Sequence, residues 1–279
     1  MEIDSNTAKR KRKINKTLLG LCLAIFAAII LYPIYITLVV SFDDTIRFTI
    51  PNPPPFFPKK ATTIFYEMVL VNIPFFRYYI NTMLITVAVL ILKLAMCVLA
   101  AYALSKGKFK LKGLYFTLIV ATMMIPFQAI LLPLYLMFNQ LRMLDSWLPV
   151  IIMSTISPIT VFLLKQYMDE LPYTLREAAI IDGAGDFRIC WQIYIPLCGP
   201  VIATVVILTM IGEWNNYLWP YIVINRNELY NIPVGLAKFS FDKAVIISPR
   251  SAAALLGSVP MIIAFLFFQK YIVQSIAAT

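Results

Sequence analysis

The sequence predicts an all-α integral membrane protein with six transmembrane helices. Of its 279 residues, 61% are hydrophobic and 14% are charged, whereas a soluble domain carries about 25% charged residues. The mean hydropathy of the chain is +0.81. The apolar residues also form six long runs, and each is long enough to cross the hydrocarbon core of a bilayer, which needs about 20 helical residues. Composition and run length therefore agree on a helical membrane protein.

The first apolar run follows a basic N-terminal segment. Residues 1–16 contain a cluster of lysines and arginines, and residues 17–42 are predominantly apolar. The hydrophobic core of a signal peptide is shorter, about 7–15 residues, and leads to a small-residue cleavage site. We therefore expect residues 17–42 to form a retained first transmembrane helix, within which Pro33 is tolerated.

The rest of the chain divides into an external loop, a transmembrane core and a tail. Residues 43–75 are polar and rich in proline, which favours an extended segment outside the bilayer. We expect residues 76–272 to form the core transmembrane domain, with a polar loop at about 166–196, and residues 273–279 to form a short C-terminal tail. The five spans of the core are predicted at residues 76–104, 114–138, 147–165, 197–224 and 251–272.

The distribution of basic residues predicts the orientation of these spans. Basic residues crowd the segment 1–16 and the short loop at 106–112, and cytoplasmic loops carry such an excess of lysine and arginine. Both segments are therefore expected in the cytoplasm. The alternation of six spans then places the 166–196 loop and the C-terminus in the cytoplasm as well. The loops expected to face outside are 43–75, 139–146 and 225–250.

Several classes of function are disfavoured by what the sequence lacks. The chain contains no histidine, which is the usual general base at neutral pH and the commonest metal ligand. It contains no Gly-x-x-x-x-Gly-Lys-[Ser/Thr] pattern, the loop that cradles nucleotide phosphates. We therefore expect no catalytic residue, no metal site and no ATP hydrolysis in this chain. Its net charge of +10 fits basic cytoplasmic loops better than a nucleic-acid partner.

The polar stretch at 172–196 carries the signals of two short helices. Thr174 and Glu177 fit a capping box, in which each side chain accepts a backbone N–H bond at a helix start. Gly183 suits the end of that helix, and Asp186 suits the N-cap of the next one. Pro196 would end the second helix before the following span. The pattern predicts a hairpin of two helices joined by a Gly-Ala-Gly turn.

The composition of this hairpin favours a docking element for a soluble partner. Ala178 and Ala179 give the first helix a small-residue face that allows close approach. Ile180 and Ile181 add apolar contact on an otherwise polar loop. The alternative is an interfacial amphipathic hairpin that only connects two spans, and the residues by themselves leave both interpretations open.

The spacing in this stretch resembles the cytoplasmic EAA loop of ABC importer permeases. That family pattern is Glu-Ala-Ala, three residues, Gly, nine residues, Ile, one residue and Leu-Pro, and here Ile195 replaces the usual Leu. Asp182 and Ala184 are similar to the carbohydrate-uptake subgroup, and in particular to the G-type permeases of maltose transporters. The matching residues are Glu177, Ala178, Ala179, Gly183, Ile193 and Pro196. Further stretches similar to this subgroup are 81–82, 101–104, 124–126, 144–146 and 214–220.

This resemblance implies a fold and a function. The fold is the type I ABC importer permease architecture, in a multi-pass protein of the bacterial plasma membrane. The function is to form half of a translocation pathway that imports a carbohydrate or related small solute by alternating access. The implied contacts to the ATPase are Glu177, Ala178, Ala179, Asp182, Gly183, Ala184 and Pro196.

The resemblance also implies partners. These are a second permease subunit, expected to form a heterodimer with this chain, two ATPase subunits and an extracytoplasmic solute-binding protein, besides membrane lipid. ATP and Mg²⁺ would bind the ATPase rather than this chain. The identity of the solute and the choice between a homodimer and a heterodimer stay open from the sequence.

Polar residues inside the predicted spans are candidates for the solute path, because such residues are costly in a bilayer. Their alternative role is interhelical hydrogen bonding. Lys93 would either extend its ammonium to the interface or pair with an acid, for which Glu213 is one candidate. The aromatic residues at 214–221 favour an interfacial belt over solute stacking. The candidate path residues are Lys93, Gln128, Thr160, Asn215 and Asn216.

The main alternative function is an ion-coupled secondary transporter that works without an ATPase. Such proteins contain inverted repeats and ionisable groups near the middle of the membrane. The sequence shows no convincing repeat and few charges inside its spans. An ABC permease is therefore the favoured interpretation.

Overall fold

The described part of the computed structural model, residues 2–46, 48–242 and 246–277, is built from helices and connecting segments. Within this part, an isolated antiparallel bridge between Asp43 and Ala61 is the sole β feature. The predicted all-α class is confirmed. The last two residues of the predicted tail, 278–279, lie outside the described residues.

The helices follow one another along the chain with short connections. In chain order they are α1 Glu2–Ser41, α2 Ile64–Asn72, α3 Phe75–Lys106, α4 Lys112–Thr122, α5 Phe127–Gln140, α6 Leu148–Thr155, α7 Pro158–Glu170, α8 Thr174–Ile181, α9 Asp186–Ile189, α10 Ile195–Leu197, α11 Gly199–Trp214, α12 Leu218–Val223, α13 Ile232–Asp242 and α14 Ile247–Ala277. A π-helical turn, Cys190–Tyr194, joins α9 to α10, and a 3₁₀ turn, Asn227–Leu229, precedes α13.

Three helical segments of the described residues are long and apolar enough to cross a membrane: Asn15–Ser41, Phe75–Lys106 and Leu148–Glu170. Two bent helix pairs would raise the number of spans to 5. The sixth predicted span, 251–272, lies in α14, whose described apolar part Ile247–Ile263 is shorter. The predicted number of six spans is therefore supported only as three to five.

The third predicted span, 114–138, is broken rather than continuous. Helices α4 and α5 meet at an angle of 96°, and Pro126 lies at the break in extended conformation, with φ −65° and ψ 135°. Proline has no backbone N–H to continue a helix, and it disfavours helical conformation in the residue before it. Pro133 lies inside α5 without ending it.

The fifth predicted span, 197–224, was placed too far along the chain at its C-terminal end. Helix α11 ends at Trp214, and the short α12 begins only at Leu218. Asn215 lies at the break, and its side-chain amide donates to the backbone carbonyl of Ile211 at 2.8 Å. Asparagine side chains compete in this way for backbone hydrogen bonds and end helices.

Two of the predicted external loops contain helices that were not predicted from the sequence. Helix α2 occupies the second half of the 43–75 loop, where Phe65 and Val69 are buried. Helix α13 lies in the 225–250 loop. Five of the six prolines of this loop precede α2, and Pro74 follows it. The extended conformation favoured by the prolines therefore does not apply to the second half of the loop.

The chain divides into two compact units, of which the first contains Met1–Ile73 and Phe239–Gly257. Asp43 organises the segment after α1, since its carboxylate accepts bonds from the backbone N–H of Thr45 at 2.9 Å and of Lys59 at 2.8 Å. Burial works against the charged form of Asp43, but these bonds outweigh it and lower the pKa of the carboxyl. A charged carboxylate therefore holds the loop closed on itself.

The second unit contains Pro74–Lys238 and Ser258–Thr279. Its long helix α3 packs against α6, α7 and α11. The buried cluster at the C-terminal half of α3 includes Ala101, Leu164, Met168 and Tyr194. The cluster also includes Ala179 of α8 and Ile189 of α9. The predicted hairpin is therefore seated on the core of this unit.

Candidate functional site

The hairpin, defined here as residues 172–197, consists of two helical segments joined by a turn. The first is α8, and the second runs from Asp186 to Leu197 through the π-helical turn. Pro196 lies one residue before the end of the second segment, close to the predicted end. That segment meets α11 at 81°. The predicted arrangement of two helical segments joined by a turn is confirmed.

Gly183 turns the chain between the two helices. Its φ is +77°, a left-handed conformation that costs an L-residue about 1–2 kcal/mol. The N–H of Gly183 bonds to the carbonyl of Ile180 at 3.0 Å, and the N–H of Ala184 bonds to the carbonyl of Ala179 at 2.9 Å. These two bonds form the Schellman motif that commonly ends a helix at glycine. The predicted role of Gly183 at the helix end is confirmed.

Both predicted N-caps of the hairpin were wrong by one residue. Tyr173 holds the N-cap position of α8, so that Thr174 is already helical. Gly185 holds the N-cap position of α9, so that Asp186 is already helical. Arg176 donates to the Tyr173 hydroxyl at 2.8 Å, and this contact ties Tyr173 to the first turn. The side chain of Asp186 is directed to tertiary contacts instead of a cap.

Asp186 joins the two helices of the hairpin to each other and to α3. Its Oδ1 accepts bonds from Arg176 Nη2 at 2.8 Å and Nε at 3.1 Å. The hydroxyl of Tyr102, on α3, donates to the same oxygen at 3.0 Å. Burial opposes the charge of Arg176, but its bonds to Asp186 and Tyr102 outweigh burial and raise the pKa of the guanidinium. No local pattern in the sequence predicts this three-residue contact.

The C-terminal end of α3 also holds the entry and the second helix of the hairpin. Lys106 Nζ donates to the carbonyl of Leu171 at 2.7 Å. The same ammonium lies 5.4 Å from the centre of the Tyr194 ring, within the range of a cation–π contact. The Tyr102 and Tyr194 rings meet edge to face at 5.4 Å. One end of α3 is therefore bound to the hairpin at several points.

The hairpin exposes large apolar side chains, here called its apolar outer face, beside polar residues such as Glu177 and Asp182. Ile181 is 86% exposed and Phe187 is 68% exposed. The rings of Phe187 and Trp191 stack at 6.2 Å with an angle of 7°. Large apolar residues gathered on a surface indicate an interaction site.

The predicted ATPase-contact residues are divided by the structure into two sets. Ala179 is buried in the core cluster, so the expected face shared by Ala178 and Ala179 is not formed: successive residues of a helix point about 100° apart. Ala184 is half-buried. The residues of the set that are exposed are Glu177, Ala178, Asp182, Gly183 and Pro196.

Three of the five predicted path residues line a single cavity in the second unit. The cavity has a volume of about 470 Å³. Aromatic and amide side chains dominate its wall, with a hydroxyl from Ser154. The lining residues are Phe127, Gln128, Met153, Ser154, Asn215, Asn216, Tyr217, Leu218 and Trp219. Of these, Phe127 and Ser154 carry no sequence signal that distinguishes them from other residues of an apolar run.

A buried acid orients one side of this cavity. Glu213 Oε2 accepts bonds from the Ser154 hydroxyl and from the Asn216 side-chain amide, each at 3.1 Å. Glu213 is 7% exposed and Lys93 is 8% exposed, so both charged residues are buried in this unit. The pairing of Lys93 with Glu213, one of the two alternatives from the sequence, stays a prediction.

Thr160 and Trp219 have roles that differ from those expected. The Thr160 hydroxyl bonds to Ser157 Oγ at 2.8 Å, where Ser157 caps α7, so Thr160 stabilises a helix start. Trp219 is 3% exposed, and its indole N–H donates to the carbonyl of Pro149 at 3.0 Å. An interfacial belt was the wrong interpretation for Trp219, because its polar atom is satisfied inside the protein.

Comparison with protein families identifies the class to which these features belong. Residues 93–278 match the family described as the binding-protein-dependent transport system inner membrane component. The chain therefore belongs to this family of ABC-transporter permeases. The matched region includes the hairpin, the cavity and the C-terminal part of α3.

Individual relatives are permease proteins of named transport systems. The chain is 32% identical over 202 residues to the arabinooligosaccharides transport system permease protein AraQ of Halalkalibacterium halodurans, covering 72% of each chain. It is 31% identical over 261 residues to the sn-glycerol-3-phosphate transport system permease protein UgpE of Yersinia enterocolitica, covering 91% of this chain and 93% of that protein. These relatives are transport permeases rather than enzymes.

A solved structure shows the same fold. It is a bacterial ABC transporter involved in the import of the acidic polysaccharide alginate, and one of its chains is 27% identical to this one with a TM-score of 0.77. The match covers 94% of this chain and 98% of that chain. The helical architecture described above is therefore that of an ABC importer permease.

Proposed function

We propose that this chain forms half of the translocation pathway of an ATP-driven importer and passes a carbohydrate or related small solute by alternating access. The observation that carries the proposal is the apolar outer face of the hairpin, held on the core by α3. In this proposal the hairpin docks on an ATPase subunit and the cavity lies on the solute path. We also propose that the chain crosses a bacterial plasma membrane six times, with both ends of the chain in the cytoplasm.

The hairpin has the properties of a docking surface. Ile181, Phe187 and Trp191 are exposed, and their burial under a partner would remove apolar area from water, worth about 25 cal/mol per Å². Gly183 and the Arg176–Asp186 ion pair fix the geometry of the two helices. We therefore expect the hairpin to dock on one of a pair of ATPase subunits, which would bind ATP and Mg²⁺.

The cavity has the chemistry for a hydroxylated solute. Amide side chains such as Gln128 and Asn215 both donate and accept hydrogen bonds, and aromatic rings such as Tyr217 offer flat apolar faces. The names of the relatives mention arabinooligosaccharides and sn-glycerol-3-phosphate, which supports a sugar or a related compound. A second permease subunit would complete the path, and a binding protein outside would deliver the solute.

An ion-coupled transporter working without an ATPase is the alternative. It would leave the exposed apolar face of the hairpin without a partner, although such a face is costly to keep in water. The family match also supports an ABC permease over an ion-coupled transporter.

A pull-down from native membranes in mild detergent tests the proposal. We expect the tagged chain to recover an ATPase and a second membrane subunit. Ile181→Asp should abolish ATPase recovery, because it places a charge on the docking face. Leu141→Asp is the matched control: Leu141 is also exposed, at 57%, but lies outside the hairpin. Recovery of ATPase with Ile181→Asp at the level of the control would contradict the docking role.

A further inference from the structure

We propose that Asp186 is the positioning residue that transmits movement of the hairpin to α3, through its hydrogen bond with Tyr102. This inference rests on the proposed function, since it assumes that an ATPase moves the hairpin. It adds a specific contact between the docking surface and the membrane helices. The argument depends on how the bonds of Asp186 are distributed among the three helices that meet there.

One carboxylate oxygen holds all three helices. Arg176 of α8 donates twice to Asp186 Oδ1, at 2.8 and 3.1 Å, and Tyr102 of α3 donates once, at 3.0 Å. Hydrogen bonds to an ionised group are shorter and about twice as strong as neutral ones. The Arg176 bonds fasten α8 to α9 across the flexible turn at Gly183. The two hairpin helices therefore move as one body, and Tyr102 is attached to that body.

The three side chains differ in exposure, and together they connect the surface of the hairpin to the protein core. Asp186 has a side chain that is 63% exposed, whereas that of Arg176 is 11% exposed, and Tyr102 is 6% exposed. Asp186 is also the neighbour of Phe187, which lies on the apolar outer face. A partner that displaces Phe187 must displace Asp186, and the hydrogen bond carries that displacement to a buried ring.

From Tyr102 a continuous helix leads towards the cavity. Lys93 lies nine residues before Tyr102 on α3, which is about 13 Å at the helical rise. Helix α3 also packs against α6 and α11, and Glu213 of α11 accepts a bond from the Asn216 side-chain amide at 3.1 Å. Movement of α3 would therefore shift the group that orients one wall of the cavity.

Two single-hydroxyl variants test the contact. Tyr102→Phe removes the bond to α3. Tyr173→Phe is the matched control, because its hydroxyl accepts a bond from Arg176 at 2.8 Å, within the hairpin. Both variants are made in the intact complex with its ATPase, reconstituted in liposomes. The background carries Cys22→Ser, which removes the exposed native thiol, and Asn215→Cys as a reporter in the cavity.

The readout is the rate at which N-ethylmaleimide labels the reporter with and without ATP and Mg²⁺. The reporter in otherwise unchanged protein should label at an ATP-dependent rate. Tyr102→Phe should reduce this dependence by about tenfold, the effect of losing a hydrogen bond to a charged group, while the ATPase stays bound and hydrolyses ATP. Tyr173→Phe should retain the dependence. Full ATP dependence in Tyr102→Phe would overturn the proposal.

A second pair of variants decides the question if Tyr102→Phe fails to assemble. Asp186→Asn keeps an oxygen that accepts from Tyr102, whereas Asp186→Ala removes it. Asp186→Asn should keep more of the ATP dependence than Asp186→Ala, and equal losses would overturn the role of Tyr102. If the reporter shows no ATP response in otherwise unchanged protein, or no ATPase is recovered, the proposed function itself fails.

Discussion

An acid organises the hairpin and another acid organises one side of the cavity, but the two acids are exposed to water very differently. The side chain of Asp186 in the hairpin is 63% exposed, whereas Glu213 beside the cavity is 7% exposed. An exposed ion pair contributes about 0–1 kcal/mol, and its use is to fix geometry. A buried charge that loses its partner costs several kcal/mol.

The difference separates two uses of charge in one chain. In the hairpin, Arg176 and Asp186 meet directly at 2.8 Å and set the relative positions of short helices. Beside the cavity, Glu213 accepts hydrogen bonds from Ser154 and Asn216, so that two polar groups stabilise one buried carboxylate. Variants near the cavity should therefore affect stability, and variants in the hairpin should affect coupling.

The largest effect is expected from Glu213→Leu. This change leaves Lys93 buried without its nearby acid, and we expect a loss of about 3–5 kcal/mol in the free energy of unfolding. Thermal unfolding of the purified complex measures it. The double variant Lys93→Met with Glu213→Leu removes both charges and should recover part of the loss. A double variant whose loss equals the sum of the two single losses would show that the charges do not interact.

The next largest effect is expected from Gly183→Val. Valine at φ +77° is strained by about 1–2 kcal/mol, which should loosen the turn and reduce ATPase recovery in the pull-down. Gly185→Val is the control, because the φ of Gly185 is −76°, which any residue adopts. Similar ATPase recovery from the two variants would contradict the role of the left-handed turn at Gly183 in ATPase binding.

A smaller effect is expected from Thr160→Val. The variant loses the bond to Ser157 and about 1 kcal/mol of stability, but the cavity is unchanged because Thr160 does not line it. Uptake of the solute into vesicles should stay at the unmodified level, in contrast with Asn215→Leu in the cavity wall. Equal loss of uptake in both variants would indicate that Thr160 lies on the solute path.

The smallest effect on stability is expected from Arg176→Gln. The ion pair with Asp186 is partly open to water, so its loss should cost less than about 1 kcal/mol and less still at high salt. ATP-dependent labelling of the cavity reporter should nevertheless decrease, since the hairpin helices are no longer fastened together. A large loss of stability without a change in labelling would contradict the expectation that hairpin variants affect coupling rather than stability.

The sequence predicted the site residues with uneven success. Gly183 was identified correctly, because a helix end in left-handed conformation is a local property of a few residues. Gln128, Asn215 and Asn216 were selected because polar residues inside apolar runs are expensive and few. They line one cavity, and their place on a solute path stays a prediction. Thr160 passed the same test, but its hydroxyl is satisfied locally by Ser157.

The errors in the helices have a common physical origin. The breaks at Pro126 and Asn215 divide runs that are mainly apolar, and hydropathy records length without recording where a backbone bond is lost. The wrong N-cap at Asp186 arose because its carboxylate suits a cap equally well. Arg176 and Tyr102 compete for that carboxylate in the folded chain, and neither is visible as a partner from its place in the sequence.

By itself, the sequence determined the membrane character of this chain, its helical class and the turn of the hairpin, because these follow from residue type and local spacing. The tertiary structure decided which polar groups meet. Tyr102 and Asp186 are 84 residues apart in the chain, and Ser154 and Glu213 are 59 residues apart. Contacts over such separations form only when packed helices bring them within about 3 Å, which no local pattern encodes.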